Sequence, residues 1–169
     1  MFIPELTTRV TVKTNTSEID TAISKFNGDP ILSIFSEVLE EKKKELTDLE
    51  EPLADAVAEQ LSSIQETIIS TKHYVTGLMS NSVDIQMDGR DRLVGNTASS
   101  IDGFPYPLAI EKGTKAHWVE PVTFSVLHWG GTPGFFSKGH MVSGIQPDPY
   151  VDYSIDETMD VIDSIFNEL

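Results

Sequence analysis

The chain has 169 residues and no cysteine, so it is long enough to bury one core unaided, and it excludes disulfides, thiolate metal sites and a cysteine nucleophile. With 27 Asp and Glu against 12 Lys and Arg, its formal net charge is −15. The one basic cluster, Lys42-Lys43-Lys44, is flanked by Glu40, Glu41 and Glu45, which argues against sequence-specific nucleic-acid binding, because counterion release needs clustered cations.

No apolar run approaches the roughly 18–20 residues of a membrane span. The start, Met1-Phe2-Ile3-Pro4-Glu5, lacks the basic flank and apolar stretch of a secretion signal. The expectation is a single soluble domain over 1–169, made inside the cell. Its N-terminal strand and helical spine occupy about 6–75, and its sheet, hairpins and C-terminal helix about 76–169.

Residues 6–13 alternate with period two, Val10 and Val12 on one face and Thr11 and Lys13 on the other, which predicts a strand. Ser17 can cap a short helix bearing Ile19, Ala22, Ile23 and Phe26, ended by Asn27-Gly28. Asp29-Pro30 starts a second helix with an N-cap and a proline at its first position, and Ile31, Ile34, Phe35, Val38 and Leu39 form its apolar face. Residues 40–51 are a solvated helical end or connection, which Pro52 interrupts or restarts.

Leu53, Val57, Leu61, Ile64 and Ile68 then recur at helical spacing, predicting a long helix to about Lys72 that packs on a sheet. Ala54, Ala56 and Ala58 allow close approach of a neighbour. After the helix exit at Thr76-Gly77-Leu78, Val83, Ile85 and Met87 alternate with Asp84, Gln86 and Asp88. A return strand over 92–98 follows the loop Asp88-Gly89-Arg90-Asp91.

From Tyr106 one or two helical turns run to Glu111-Lys112-Gly113-Thr114, where glycine supplies a left-handed cap. Glu111 is read as a structural acceptor for the loop that follows. An extended segment through His117 and Pro121 leads to a strand at Phe124, Val126, Leu127, His128 and Trp129. Gly130-Gly131-Thr132-Pro133-Gly134 turns that strand, either as an ordinary hairpin or as a loop reaching a neighbouring subunit. Asp148-Pro149 opens a terminal helix with Val151, Ile155, Met159, Ile162 and Phe166 on its apolar face and carboxylates on the other.

The order of these pieces resembles the minor tail-component or head-tail completion (neck) proteins of tailed phages and their archaeal counterparts. The resemblance is carried by Thr76, Gly77, Leu78 and Ser82, by Tyr106, Glu111, Gly113 and Thr114, and by His117, Pro121, Pro147 and Tyr150, over roughly residues 50–169. It implies a structural virion protein and not an enzyme, with no cofactor or metal. Such a protein is expected to form a ring of six-fold symmetry in the neck, made in the host cytoplasm, that joins connector proteins to the tail tube or terminates the tube. The genome would pass through an acidic lumen without sequence-specific binding, and no membrane is involved.

Two other classes stand beside it. A small metal-dependent hydrolase would use His117, His128, His140 and Glu111, although no His-x-x-x-His spacing supports it. An acidic binding module would dock its terminal helix on a basic partner. The fold expected from the residues is α+β, an antiparallel sheet of about four to six strands with the helix over 53–72 across one face and the C-terminal helix beside it.

Overall fold

The computed structural model describes residues 2, 4–26, 33–73, 77–100, 103–121, 125–129 and 135–167. The expected helix start at Asp29-Pro30, Thr76 and the loop from Gly130 to Gly134 lie outside the described residues.

After a short 3-10 turn at Pro4–Leu6, strand β1 spans Thr7–Val10 and helix α1 spans Ser17–Phe26. Ser17 is the first helical residue and not a cap: its amide and hydroxyl both donate to Asn15 Oδ1, at 3.2 and 2.8 Å. Helix α2 (Ser33–Asp48) and helix α3 (Glu50–Lys72) are separated by Leu49 alone. The solvated stretch is therefore helical almost throughout. Pro52 explains where the break falls: it offers no N–H to the carbonyl four residues earlier, that of Asp48, and its ring crowds that carbonyl. The Leu53 amide resumes the ladder on Leu49 O at 3.1 Å.

Strand β2 (Val83–Asp88) and strand β3 (Asp91–Asn96) form the predicted hairpin with Asp88 opposite Asp91. The connecting pair is Gly89-Arg90, with φ +64° at Gly89, the position a type II′ turn reserves for glycine. Strand β1 pairs antiparallel with β3, Val10 opposite Arg92, so the sheet order is β1-β3-β2 and β1 is an edge.

Helix α4 (Tyr106–Lys112), strand β4 (His117–Val119), strand β5 (Leu127–Trp129), strand β6 (Phe135–Ser137), strand β7 (His140–Val142) and helix α5 (Tyr150–Asn167) complete the order. The fold is α+β, as the sequence implies, with a long helix across a sheet and a C-terminal helix beside it. Among the described residues the strands divide into antiparallel sheets of three, two and two, with β4 pairing β7 and β5 pairing β6. The short strands of the second half close on each other and leave the three-stranded sheet unextended.

Two apolar clusters hold the molecule together. Val10 and Val94 of the sheet meet Ala54, Ala58 and Leu61 of α3. Leu6, Ile69, Met79 and Ala98 meet Tyr150 and Val151 at the start of α5. Helices α3 and α5 run antiparallel, since the end of α3 meets the start of α5 through His73 and Asp148, 3.1 Å apart.

Their seam differs from the stripes read in the sequence. The buried residues of α3 are Ala54, Ala58, Leu61, Ser62, Ile64, Gln65 and Ile69, whereas Leu53 is 44% exposed. On α5 Ser154 and Thr158 are buried, while Met159 is 51% exposed. The alanines let α3 lie close on Val10 and Val94 of the sheet, while Leu53 and Met159 stand toward the flank of the two helices. On α2 Phe35 and Val38 are exposed, at 56% and 50%, Leu39 is half-buried, and the side chains of Ile31 and Ile34 lie outside the described residues.

Candidate functional site

Five of the residues that single out the second half of the chain, Glu111, Gly113, Thr114, Pro147 and Tyr150, converge where α4 meets α5. Helix α4 begins beside Pro107 and ends at Gly113, whose φ of +71° and ψ of 172° place it in an extended region open only to glycine. This differs from the left-handed helical cap that was expected, although the requirement for glycine is the same. A second reason is space: a Cβ on Gly113 would lie 2.7 Å from Ile145 O and 2.8 Å from Pro147.

Gly144 faces the same crossing from the other side, where a Cβ would fall 1.8 Å from Thr114 O. With both glycines bare the two backbones touch and bond. The Thr114 amide donates to Ile145 O at 2.9 Å, and the Ile145 amide donates to Thr114 Oγ1 at 3.0 Å. One step further on, the Asp148 amide donates to Ile110 O at 2.9 Å.

Glu111 is 4% exposed and its carboxylate accepts the Val151 amide of α5 at 3.1 Å. Its partner is therefore the first turn of a helix 40 residues away and not the loop that follows Glu111. The carboxylate serves that turn as a borrowed N-cap, satisfying a donor the helix cannot satisfy itself and meeting the positive end of its dipole. Burial pushes the Glu111 carboxyl above the usual carboxylate range, against the opposing pull of the Val151 amide. Tyr150, fully buried beside it, is raised by burial and by the Glu111 charge, so its hydroxyl stays protonated. Asp148, expected to cap α5 with its side chain, instead reaches back to His73 and to Lys72 Nζ at 3.1 and 3.5 Å.

The other sequence-predicted residues have local duties. Gly77 turns the chain at φ +75°, and its carbonyl accepts the Asn81 amide at 3.0 Å. Leu78 is 50% exposed, and the Ser82 hydroxyl donates to its carbonyl at 2.6 Å. Tyr106 packs against the cluster around Tyr150. Pro121 is half-buried.

Among the described residues the histidines are not gathered with Glu111 into a site. His117 and His140 lie on one face of the β4–β7 pair, His117 opposite Val142 and His140 opposite Val119. Glu111 is spent on Val151, and the His128 side chain lies outside the described residues. Among the described residues no three His, Asp or Glu side chains gather in a way that could hold a metal ion. Among them, too, no helix is long and apolar enough to cross a membrane.

Two features escaped sequence reasoning. Arg92, 3% exposed, lies between sheet and helix with its Nε on Asp55 Oδ1 and its Nη2 on Asp55 Oδ2, a two-pronged bond to α3. That bond holds the Asp55 carboxyl below its ordinary range. The second is a groove of about 370 Å³ walled by Leu53, Val57 and Leu61 of α3, by Ile155, Met159 and Ile162 of α5, and by residues 8–12 at the edge of the sheet. Large apolar side chains also face outward on the small sheets, with Trp118 at 57%, Met141 at 62% and Phe136 at 67% exposure. Trp118 and Met141 are cross-strand partners, and the Trp118 ring covers Gly139 so closely that a Cβ there would lie 2.8 Å away.

Comparisons with protein-family models, with curated proteins and with solved structures find no match.

Proposed function

We propose that the chain is a structural virion protein of the head-tail interface, a neck-completion or tail-terminator subunit that works by assembly and not by catalysis. The observation that carries this reading is the use to which the resemblance-bearing residues are put. Glu111, Gly113, Thr114, Pro147 and Tyr150 meet in one clasp between α4 and α5, and each contributes a hydrogen bond, a close backbone approach or buried volume. The exposed Trp118, Met141 and Phe136 support it as well, because apolar side chains set outward on small hairpins suit contacts between subunits.

In this reading copies associate through repeated head-to-tail contacts that close a ring of six-fold symmetry. The ring joins connector proteins to the tail tube, and the net charge of −15 keeps passing DNA from adhering to its lumen. The chain is made in the host cytoplasm and ends in the virion neck.

The test is the particle itself. Light scattering and electron microscopy of the purified chain, alone and with connector and tail-tube proteins, should yield closed rings or rings capped onto the tube. A chain that binds stoichiometric zinc and loses it in His128→Ala, with no assembly under any of these conditions, would overturn the proposal in favour of the hydrolase.

A further inference from the structure

The groove beside β1 joins three features that separately mean little. Five consecutive residues, Thr8 to Val12, line it. They include strand β1, whose outer edge has no strand beside it among the described residues. An open edge offers a row of backbone donors and acceptors to another chain. The opposite walls are apolar, formed by Leu53, Val57 and Leu61 of α3 and by Ile155, Met159 and Ile162 of α5. Its volume of about 370 Å³ can take two side chains, given that a cavity of roughly 150 Å³ holds a benzene.

The charges around the groove indicate what enters. Helix α5 carries Asp152, Asp156, Glu157, Asp160 and Asp163 and no basic residue, and helical spacing sets Asp152, Asp156 and Asp163 along the rim beside Ile155, Met159 and Ile162. The groove's own cation, Arg9, is already taken by Asp88 and Asp91, at 2.7 Å each, and Lys13 stands just beyond its end. A second copy would bring another net charge of −15 to this rim.

We propose that the groove receives an extended segment of a partner protein, with apolar residues alternating with Lys or Arg, which adds as a strand to the free edge of β1. Backbone bonds along Thr8–Val12 supply affinity, alternate apolar side chains fill the groove, and the basic ones meet the carboxylates of α5. This stands whether or not the chain forms a ring.

The test uses the full chain and a short capped peptide of alternating valine and lysine, with a valine-serine counterpart and a helix-forming leucine-lysine peptide as comparators. NMR titration should show saturable binding with shifts confined to residues 8–12 and to α5 around Met159. Binding should weaken with added salt and be strongest for the valine-lysine peptide. Met159→Arg, at a half-exposed position, should leave the melting temperature unchanged and weaken binding by about tenfold or more. Asp156→Asn with Asp163→Asn should weaken the lysine peptide and leave the serine one alone. Equal binding of the serine peptide, tighter binding of the helical one, or shifts elsewhere would overturn the proposal. So would self-association that Met159→Arg abolishes, which would name a second copy as the occupant.

Discussion

The Glu111 carboxylate receives the Val151 amide at 3.1 Å, so a side chain at the end of one short helix completes the first turn of another 40 residues later. Removing it strands a buried donor. Glu111→Ala should therefore cost about 1–3 kcal/mol in urea unfolding, whereas Glu111→Gln, which keeps an acceptor, should cost much less.

The same group fixes a pH dependence. Because burial raises the Glu111 carboxyl in the folded state, that state holds the proton more tightly than the unfolded chain does. Its contribution is fully present below the unfolded value and is lost as pH rises through the folded one. The stability of wild type relative to Glu111→Gln should accordingly improve as pH falls across that window, as paired urea melts at neutral and mildly acidic pH would show.

Asp55 and Asp91 behave in the opposite sense. Hydrogen bonds from Arg92 and Arg9 hold them below the ordinary carboxylate range, so their stabilisation is present above the unfolded value and lost as pH falls through the folded one. Asp55→Ala should be the more damaging substitution, since it leaves the buried Arg92 without its carboxylate, whereas exposed Arg9 keeps Asp88. Thermal melts of the two variants should rank in that order, and Asp55→Asn should flatten the acid limb of the stability profile.

Gly113→Ala and Gly144→Ala attack one crossing from its two sides. The first forces a side chain into positive φ against Ile145 and Pro147, and the second drives a methyl into Thr114. Each should destabilise by about 1–3 kcal/mol, and the double variant by less than the sum, because either change alone already parts the two backbones. Gly89 is the contrast: a Cβ there meets nothing within 4 Å, so Gly89→Ala should cost only the strain of its positive φ, about 1–2 kcal/mol, in the same melts.

Phe136→Ser and Met141→Ser test the outward apolar surface. Both positions are well exposed, so stability should stay within about 0.5 kcal/mol of wild type. If the surface joins subunits, the assembled mass seen by light scattering should fall. Assembly unchanged in the double variant would remove these residues from the contact.

Much of the frame was legible locally. Period two along residues 83–88, the two-residue turn at Gly89 and the helical spacing from Leu53 each name an element from residues within one window. What the periodicity could not rank was which stripe of a helix goes inward. On α3 the Leu53–Val57 stripe and the Ala54–Ala58 stripe are neighbours, and hydropathy favours the first, but it is the second that is buried, against Val10 and Val94 of the sheet. The partner of Glu111 and the pairing of β4 with β7 were out of reach for another reason: each depends on a segment far along the chain, about which local composition is silent. Arg92 gave no signal either, since a lone arginine in a strand is ordinarily a solvated one.

Thr114 and Ile145, bonded to each other across a separation of 31 residues, have one more consequence. They pinch shut the base of everything between them, and among the described residues neither apolar cluster draws on that excursion. Because closing a longer loop adds little entropy once its ends are fixed, the segment can be lengthened, shortened or exchanged at small cost to the body it springs from. The clasp thus divides the chain in two: a body whose packing depends on Gly113 and Gly144, and an excursion whose length that body tolerates.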